Sequence, residues 1–292
     1  MNLSLGQPLE PHLPPLQMAV VGHVEWVEFL WVDHLPAPGE IIRASKSLQQ
    51  PAGGGAVIAA QMAKLVGSAQ FFTALGRDEL GERAQAELQA LGLELHVAWR
   101  DAPTRRAVTF IDSDGERTIT VIGERLSPTA ADPLPWELLA QCDGVFITAA
   151  DAAAVRLARR ARVLAATPRL GLGTLQTAAV PLDLLVGSAL DPSEQVPPNA
   201  LDPAPTMTVA TEGARGGYTV PGGRFEALKR GAPLGDSYGA GDSFAAGLTT
   251  AVAAGLPREQ ALALACRCGA ACLDGCGAYG GQLRLQPGLK QG

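Results

Sequence analysis

Apolar and polar positions alternate in blocks along the early part of the chain. Residues 18–32, MAVVGHVEWVEFLWV, are rich in Val, Trp and Phe and predict a strand. The glycine cluster PAGGG at 51–55 then opens a helix of small residues that ends at Gly67, and AQFFTAL at 69–75 predicts the next buried strand. This order of strand, helix and strand is the unit from which parallel sheets are built.

A second helix and a β-rich stretch follow. Between Asp78 and Gly92, apolar residues recur every three or four positions, which predicts a helix with Asp78 as its N-cap and Gly92 as its stop. Short runs of β-branched and aromatic residues then predict strands at 97–100, 105–112 and 117–123, and the turn SDGE joins the last two into a hairpin.

The alternation of strands and helices resumes from residue 144. Apolar runs at 144–149 and 182–188 predict strands, the Ala- and Arg-rich segment at 151–166 predicts a helix, and PRLGLG at 168–173 continues the series. We therefore predict an α/β fold, a doubly wound and mostly parallel sheet flanked by helices.

Two β-rich segments, at about 24–50 and 96–122, do not fit this rhythm, and we expect them to form a small β lid on the main sheet. Residues 1–17 are predicted to be an N-terminal tail and residues 18–292 a single domain that includes the lid. The tail carries prolines where a secretory signal would be basic and then apolar, and no apolar run is long enough to cross a bilayer. We expect a cytoplasmic protein.

Composition and charge narrow the classes of partner. Of the 292 residues 47% are hydrophobic, enough for a large core, and the formal net charge is −6. Because the chain has no extended basic field, we expect neither a nucleic acid nor an anionic membrane as partner, which leaves small molecules. Four of the five cysteines lie in CRCGAACLDGC at 266–276, whose spacing does not match zinc sites and predicts a packed helix.

The segment GDSYGAGDSFAAG at 235–247 carries the strongest chemical signal. Apolar spacing after it predicts a helix that begins within the motif. The backbone N–H groups of Gly239, Ala240 and Gly241 would then be unpaired, and their minimal side chains would let a phosphate approach closely. We expect this helix end to lower the pKa of Asp242 and keep it ionised, as a base beside a phosphate in phosphoryl transfer.

Other interpretations compete for this motif. A structural helix start also needs glycine for a tight turn and an acidic residue in the first turn. A serine hydrolase would use Ser237 or Ser243 with a histidine base, but every histidine lies far upstream, and no second motif places one beside either serine. Neither a P-loop nor an intact dinucleotide fingerprint occurs in the sequence.

The segment DSYGAGDSFAAG resembles the C-terminal signature of the ribokinase-like (PfkB-type) carbohydrate kinases, usually written DTxGAGD. LPAPGE, the glycine cluster with its helix, TALGRDELGERAQAELQALGLE, DGERTIT and TEGARGG follow the family's order, so the resemblance spans about residues 18–280. It implies a ribokinase-like α/β domain with a small β lid, ATP with Mg²⁺ as the donor, and a hydroxyl of a sugar or sugar-like small molecule as the acceptor.

The resemblance also implies roles within the motif. Asp242 is similar to the family's catalytic base, and Gly239, Ala240 and Gly241 are similar to its anion hole. In many relatives the aspartate at the position of Asp236 helps to hold a monovalent cation, whereas the local sequence favours an aspartate that caps a turn. Both roles of Asp236 stay open.

Nucleotide and metal contacts are implied in the same way. Thr211 and Gly213, in TEGARGG, align with the family's nucleotide-contacting TxG, and Ala271 lies in the helix that lines the adenine pocket in relatives. The family's NxxE motif, which helps to organise Mg²⁺ and phosphate, is SALD here, so Ser188 and Asp191 keep shorter oxygen ligands that still support a hydrated Mg²⁺.

The acceptor side departs from the family's pattern. Many relatives read GDxNxD on the first strand, where this chain has Glu25 at the usual asparagine and Val27 at the usual sugar-binding aspartate, on the same strand face as His23. In the glycine cluster, where Gly54 is an expected substrate contact, Val57 replaces the usual asparagine. Glu25 either supplies a displaced carboxylate or is a charge on the lid surface. A pocket lined by the two valines predicts a less polar acceptor, or one bound by other residues.

These departures keep two alternative functions open. A nucleoside kinase of the same fold would suit an apolar-walled pocket. A non-catalytic sensor of a nucleotide or metabolite would suit the lost polar contacts and the altered NxxE motif. Similar proteins often form homodimers through the lid, and we expect Trp26 and Phe29 to be exposed apolar residues of such a surface.

Overall fold

The computed structural model describes residues 13–229 and 235–285 of the chain. The predicted tail at 1–17 therefore lies mostly outside the described residues, and from residue 13 the chain runs without regular structure to the first strand. In the described ranges, no helix is both long and apolar enough to cross a membrane.

The described ranges form thirteen strands and six α-helices. The strands are β1 (Met18–Val21), β2 (Glu25–Trp31), β3 (Lys46–Ala52), β4 (Ala69–Gly76), β5 (Leu93–Arg100), β6 (Arg106–Ile111), β7 (Arg117–Ile122), β8 (Gly144–Ile147), β9 (Val163–Ala166), β10 (Leu184–Ser188), β11 (Met207–Thr211), β12 (Gly217–Val220) and β13 (Gly223–Phe225). The helices are α1 (Gly54–Val66), α2 (Glu79–Ala90), α3 (Ala152–Ala158), α4 (Leu172–Ala178), α5 (Ala240–Ala253) and α6 (Arg258–Cys272). Short 3₁₀ turns lie at Trp136–Gln141, Pro168–Leu170, Pro192–Glu194 and Gly213–Arg215.

Nine strands form the main sheet, in the order β13-β12-β11-β10-β9-β8-β1-β4-β5. The strands from β11 to β5 run parallel, and β12 and β13 extend one edge in antiparallel pairing. From β1 the chain builds outward through β4 and β5, then returns to β8 on the other side of β1, which makes the sheet doubly wound. The predicted α/β fold class is confirmed.

Four strands form the small second sheet, the lid, in the order β3-β2-β6-β7. The apolar stretch at 18–32 is two strands, since β1 belongs to the main sheet and β2 to the lid. Residues 96–100, which we had assigned to the lid, belong to β5, because β5 pairs with β4 of the main sheet along its whole length.

The largest apolar side chains of the lid point inward. Trp26 and Phe29 are only 4% and 0% exposed, so the expectation that they form an exposed surface is wrong. Phe29 packs edge-on against Tyr238, with ring centroids 4.8 Å apart. The exposed large apolar residues of the described lid are instead Ile119, Val121 and Ile122, on β7, with Leu35 and Ile41 in the loop between β2 and β3. Dimerisation through the lid stays a prediction.

The cysteine-rich segment lies in and just after α6, where Cys268 and Cys272 are buried. All five cysteines are free thiols. Gly247 of α5 faces α6, and a Cβ at this glycine would lie 2.7 Å from Sγ of Cys268. The absence of a side chain at Gly247 therefore lets the two helices approach, and the predicted packed helix is confirmed.

The segment at 151–166 is not one helix, as we had predicted. Helix α3 ends at Ala158, and residues 163–166 form β9, a buried strand between β8 and β10. A short strand that is buried on both faces is continuously apolar, so its periodicity does not distinguish it from a helix. PRLGLG likewise forms a 3₁₀ turn and the start of α4.

Candidate active site

The motif turn lies at the N-terminal end of α5. Gly239 precedes the helix with a φ of 77°, a left-handed conformation that favours glycine. A Cβ at Gly239 would also lie 3.0 Å from Cγ1 of Val57, so the turn packs closely on α1. The first turn of α5, with Ala240 and Gly241, has no side-chain cap, which leaves backbone N–H groups available to a ligand.

Asp242 lies in this first turn. Part of its side chain is accessible to solvent, yet protein surrounds the carboxyl densely, and this burial raises its pKa to about 6. Arg117 and Arg169 oppose the increase without cancelling it. The expectation that the helix end lowers the pKa of Asp242 is therefore wrong, because loss of hydration outweighs the helix dipole. The carboxyl is still mostly ionised at pH 7.

The N-terminal ends of α1 and α5 meet at Gly54. A Cβ at Gly54 would lie 3.0 Å from Oδ1 of Asp242 and 3.7 Å from Cε1 of His23. Any side chain at this position would fill the space beside the carboxylate. Asp242 and Gly54, which we predicted from separate motifs, thus lie at one site.

Glu25 lies inside this site. It is 8% exposed, and its Oε1 is 3.2 Å from Nε of Arg105 and 3.7 Å from Nε2 of His23. Burial raises the pKa of Glu25, and Arg105 opposes the increase. The lid-surface interpretation of Glu25 is therefore wrong. Burial, with Arg125, Arg105 and Arg169, lowers the pKa of His23 to about 3, so its ring is neutral at pH 7.

Val27 and Val57 have no exposed surface. Val27 is inside β2, and Val57 packs behind the Gly239 turn. They form part of the packed wall behind the site and do not line an open pocket, which corrects the expectation of an apolar acceptor pocket.

Four arginines surround the site, and the sequence analysis identified none of them: Arg105, Arg117, Arg125 and Arg169. Arg117 donates from Nη1 to the carbonyl oxygen of Ser237 at 2.9 Å, and Arg125 donates to that of Arg169 at 3.1 Å. They lie in separate segments around the lid and after β9, and although Arg117 belongs to DGERTIT, no motif assigned any of them to the site. Only the pairing of the strands brings them together.

The loop after β10 holds the predicted metal residues. Oε2 of Glu194 accepts a hydrogen bond from the backbone N–H of Ser188 at 2.8 Å, and Arg169 pairs with both Glu194 and Asp191. Hydrogen bonds from Ser193 hold the pKa of Asp191 below its usual range. Across the described ranges, no three His, Cys, Asp or Glu side chains converge as a ligand set. Asp191 and Glu194 both face the Arg169 guanidinium group, and a hydrated Mg²⁺ at Ser188 and Asp191 stays a prediction.

The predicted nucleotide contacts lie on the next strand. Thr211 ends β11 and pairs in register with Ser188 of β10, so the two sets of predictions meet at one carboxyl edge of the sheet. Gly213 has a φ of 58°, and a Cβ there would meet only Leu190, at 3.8 Å. Ala271 lies in the last turn of α6 and is half-buried. Open α/β sheets bind ligands at this carboxyl edge.

Asp236 braces the turn from behind. Its buried carboxylate accepts hydrogen bonds from the backbone N–H groups of Tyr238 at 3.0 Å and Gly277 at 2.7 Å, and burial raises its pKa. The Tyr238 hydroxyl in turn accepts a hydrogen bond from the N–H of Gly53 at 3.1 Å, which ties the motif to the glycine cluster. These contacts match a turn cap, and a cation at Asp236 stays a prediction.

Comparison with known proteins gives consistent matches over nearly the whole chain. The family model described as pfkB family carbohydrate kinase matches residues 16–168 and 182–282. An ATP-dependent ribose-1-phosphate kinase from Halopiger xanaduensis is 31% identical over 275 residues, which cover 85% of this chain and 89% of that protein.

Two further matches are more limited. A ribokinase from Arabidopsis thaliana is 31% identical over 126 residues, and the match covers 42% of this chain and only 33% of that protein. The crystal structure of ribokinase from Thermotoga maritima is 19% identical and aligns over 92% of this chain and 96% of that chain, with a TM-score of 0.71. At this identity, the structural match shows a shared fold.

Proposed function

The chain belongs to the pfkB family of carbohydrate kinases, and from that premise we propose that it transfers the γ-phosphoryl group of ATP to a hydroxyl of a sugar or sugar-like molecule. Asp242 is the base, and the backbone of Gly239, Ala240 and Gly241 is the anion hole. One observation carries the proposal: Asp242, at the start of α5, lies against Gly54, at the start of α1. A Cβ at Gly54 would fill the space beside the Asp242 carboxylate.

The chemistry follows from these positions. Asp242 takes the hydroxyl proton as the oxygen–phosphorus bond forms and the bond from the γ-phosphorus to ADP breaks. A pKa of about 6 leaves the carboxyl mostly ionised at pH 7 and still basic enough to accept a proton. The backbone N–H groups at the start of α5 stabilise charge on the transferring group.

The donor side uses the edge between β10 and β11. We assign ATP contacts to Thr211 and Gly213, and we assign Mg²⁺, through bound waters, to Asp191 and Glu194. When bound, the metal neutralises charge on the donor's phosphates. A monovalent cation at Asp236 is an extension of the proposal, and replacing K⁺ by choline in the assay tests it.

The set of acceptors to be assayed follows from the site and from the relatives of the chain. The name of the Halopiger xanaduensis relative describes a ribose-1-phosphate kinase, so the panel includes sugar phosphates beside free sugars, sugar acids and nucleosides. The nucleoside alternative depended on Val27 and Val57 lining the pocket, and both are fully buried. The sensor alternative depended on the lost polar contacts and on the altered NxxE motif. His23 and Glu25 supply polar groups at the site, and turnover of any acceptor would exclude a sensor.

The test measures phosphoryl transfer from labelled ATP to each acceptor, with two matched variants. Asp242→Asn keeps the size of the side chain and removes the base, so we expect kcat to fall by about 100-fold or more. Asp33→Asn, the same change at an exposed position in the lid, is the control and should match the wild type. Full activity of Asp242→Asn would show that another group takes the proton.

A further inference from the structure

Three arginines lie near the proposed acceptor site, although the whole chain carries a formal net charge of −6. The positive charges of Arg125, Arg105 and Arg169 all lower the pKa of His23, whose ring lies beside Gly54. The same three charges oppose the increase in the pKa of Glu25. Arg105 contacts Glu25 directly at the start of β2, and Arg125 and Arg169 lie near enough to influence both groups.

The three guanidinium groups are not equally neutralised. Arg105 pairs with Glu25 at 3.2 Å, and Arg169 pairs with two carboxylates of the loop after β10. Arg125 donates to the carbonyl oxygen of Arg169 at 3.1 Å and, within the described residues, forms no ion pair with a carboxylate. Nε of Arg105 is buried, and its contact with Glu25 is an ion pair without hydrogen-bond geometry. Arg125 is therefore the guanidinium group of the three that no carboxylate pairs with in the described residues, and such a group favours the binding of an anion.

A pocket of about 290 Å³ opens between Arg125 and Arg169. Its lining includes the polar side chains of Ser193 and Gln195. The volume is near the lower end of small-molecule sites, about 300 Å³, so it suits one charged group with part of a sugar.

From this cluster we propose that the acceptor is a sugar phosphate, whose phosphate Arg125 binds together with Arg105 and Arg169 while the reacting hydroxyl lies at Asp242. The inference rests on the proposed kinase function and names its acceptor class. The planar guanidinium group donates paired hydrogen bonds to phosphate oxygens. A dianionic phosphate also interacts more strongly with the guanidinium group of Arg125 than the single carboxylate of a sugar acid does.

The direct test compares matched acceptors at saturating ATP: ribose with ribose 1-phosphate, fructose with fructose 6-phosphate, and gluconate as a sugar acid. We expect kcat/KM to be about 100-fold higher for a phosphorylated member than for its free sugar, because charge-assisted hydrogen bonds act only on the former. The inference is wrong if kcat/KM for a free sugar or for gluconate equals or exceeds kcat/KM for every phosphorylated acceptor.

Variants at Arg125 separate the acceptor from the donor. Arg125→Ala should raise KM for the phosphorylated acceptor by about 10- to 100-fold and change KM for ATP by less than about twofold, with Arg125→Lys in between. Arg160→Ala, at an exposed arginine just after α3, should leave both values unchanged. An increase in KM for ATP alone would assign the pocket to the donor and overturn the inference.

Binding without turnover distinguishes this inference from the proposed function. Calorimetry with ribose 1-phosphate and fructose 6-phosphate, on Asp242→Asn without ATP, should show binding that Arg125→Ala weakens in the same background. Binding of a sugar phosphate, together with no turnover of any acceptor by the wild-type protein, would support the phosphate pocket and contradict the kinase. Turnover of free sugars, with no binding of either sugar phosphate, would support the kinase and contradict the pocket.

Discussion

The two sides of the proposed active site are built in different ways. The motif side is contiguous in sequence: residues 236–242 form the turn and the start of α5, and distant residues such as Gly53 and Gly277 brace this turn. The acceptor side is assembled from distant segments, with His23 and Glu25 on or near β2 and Arg105 and Arg125 at the ends of the lid strands. Backbone anion sites are thus encoded locally, whereas charge recognition at this site depends on the whole fold.

Removing one charge from the acceptor side should destabilise the protein more than any change on the motif side. Arg105→Met leaves Glu25 buried without its cation, and we expect the free energy of unfolding to fall by about 3 kcal/mol, measured by urea denaturation. A second change, Glu25→Gln, removes the unpaired charge and should restore much of the loss. Equal stability of Arg105→Met and the wild type would show that this pair does not hold the two segments together.

The junction of the two sides is tested at Gly54. In Gly54→Ala the new methyl group would lie 3.0 Å from Oδ1 of Asp242, so the carboxylate or the acceptor must move, and we expect kcat to fall by about 100-fold. Gly173→Ala is the matched control, because a Cβ in this helical position of α4 meets no atom within 4 Å. Unchanged kcat in Gly54→Ala would show that the reacting hydroxyl lies elsewhere.

A change on the motif side should lower the stability of the protein less, because it removes hydrogen bonds to backbone N–H groups and leaves no buried charge unpaired. Asp236→Ala removes the acceptor of two buried N–H groups, those of Tyr238 and Gly277, and should lower the free energy of unfolding by about 2 kcal/mol. Asp236→Asn keeps one carbonyl oxygen as an acceptor and should lose less. If Asp236→Ala unfolds at the same denaturant concentration as the wild type, Asp236 does not brace the turn.

A smaller effect with the opposite sign is expected at Asp242. Its folded-state pKa of about 6 lies above its ordinary value of 3.8, so the fold disfavours the ionised form and stability falls as the pH rises through 6. Asp242→Asn removes this cost, and its melting temperature should exceed that of the wild type by a few degrees at pH 8 and by less at pH 5. An equal difference at both pH values would show that the carboxyl is not desolvated.

Local signals explain how much could be predicted from the sequence. Apolar runs, N-caps and glycine stops predicted the main sheet and its helices, and failed at 163–166, where a short buried strand has no distinctive period. Asp242 and Gly54 were predicted because each belongs to a contiguous motif. Arg125 and Arg169 look like ordinary surface arginines in the sequence, and their role depends on a strand order that local patterns do not specify.

The pH dependence of kcat/KM tests the assignment of Asp242 most directly. We predict an acid limb centred at about pH 6, with activity falling tenfold for each unit below it, because a proton then occupies the base. The residual activity of Asp242→Asn is the control, since a phosphorylated acceptor also titrates near pH 6. We predict that the acid limb is present in the wild type and absent from Asp242→Asn. A flat profile in the wild type, or the same limb in both proteins, would contradict the role of Asp242 as the base.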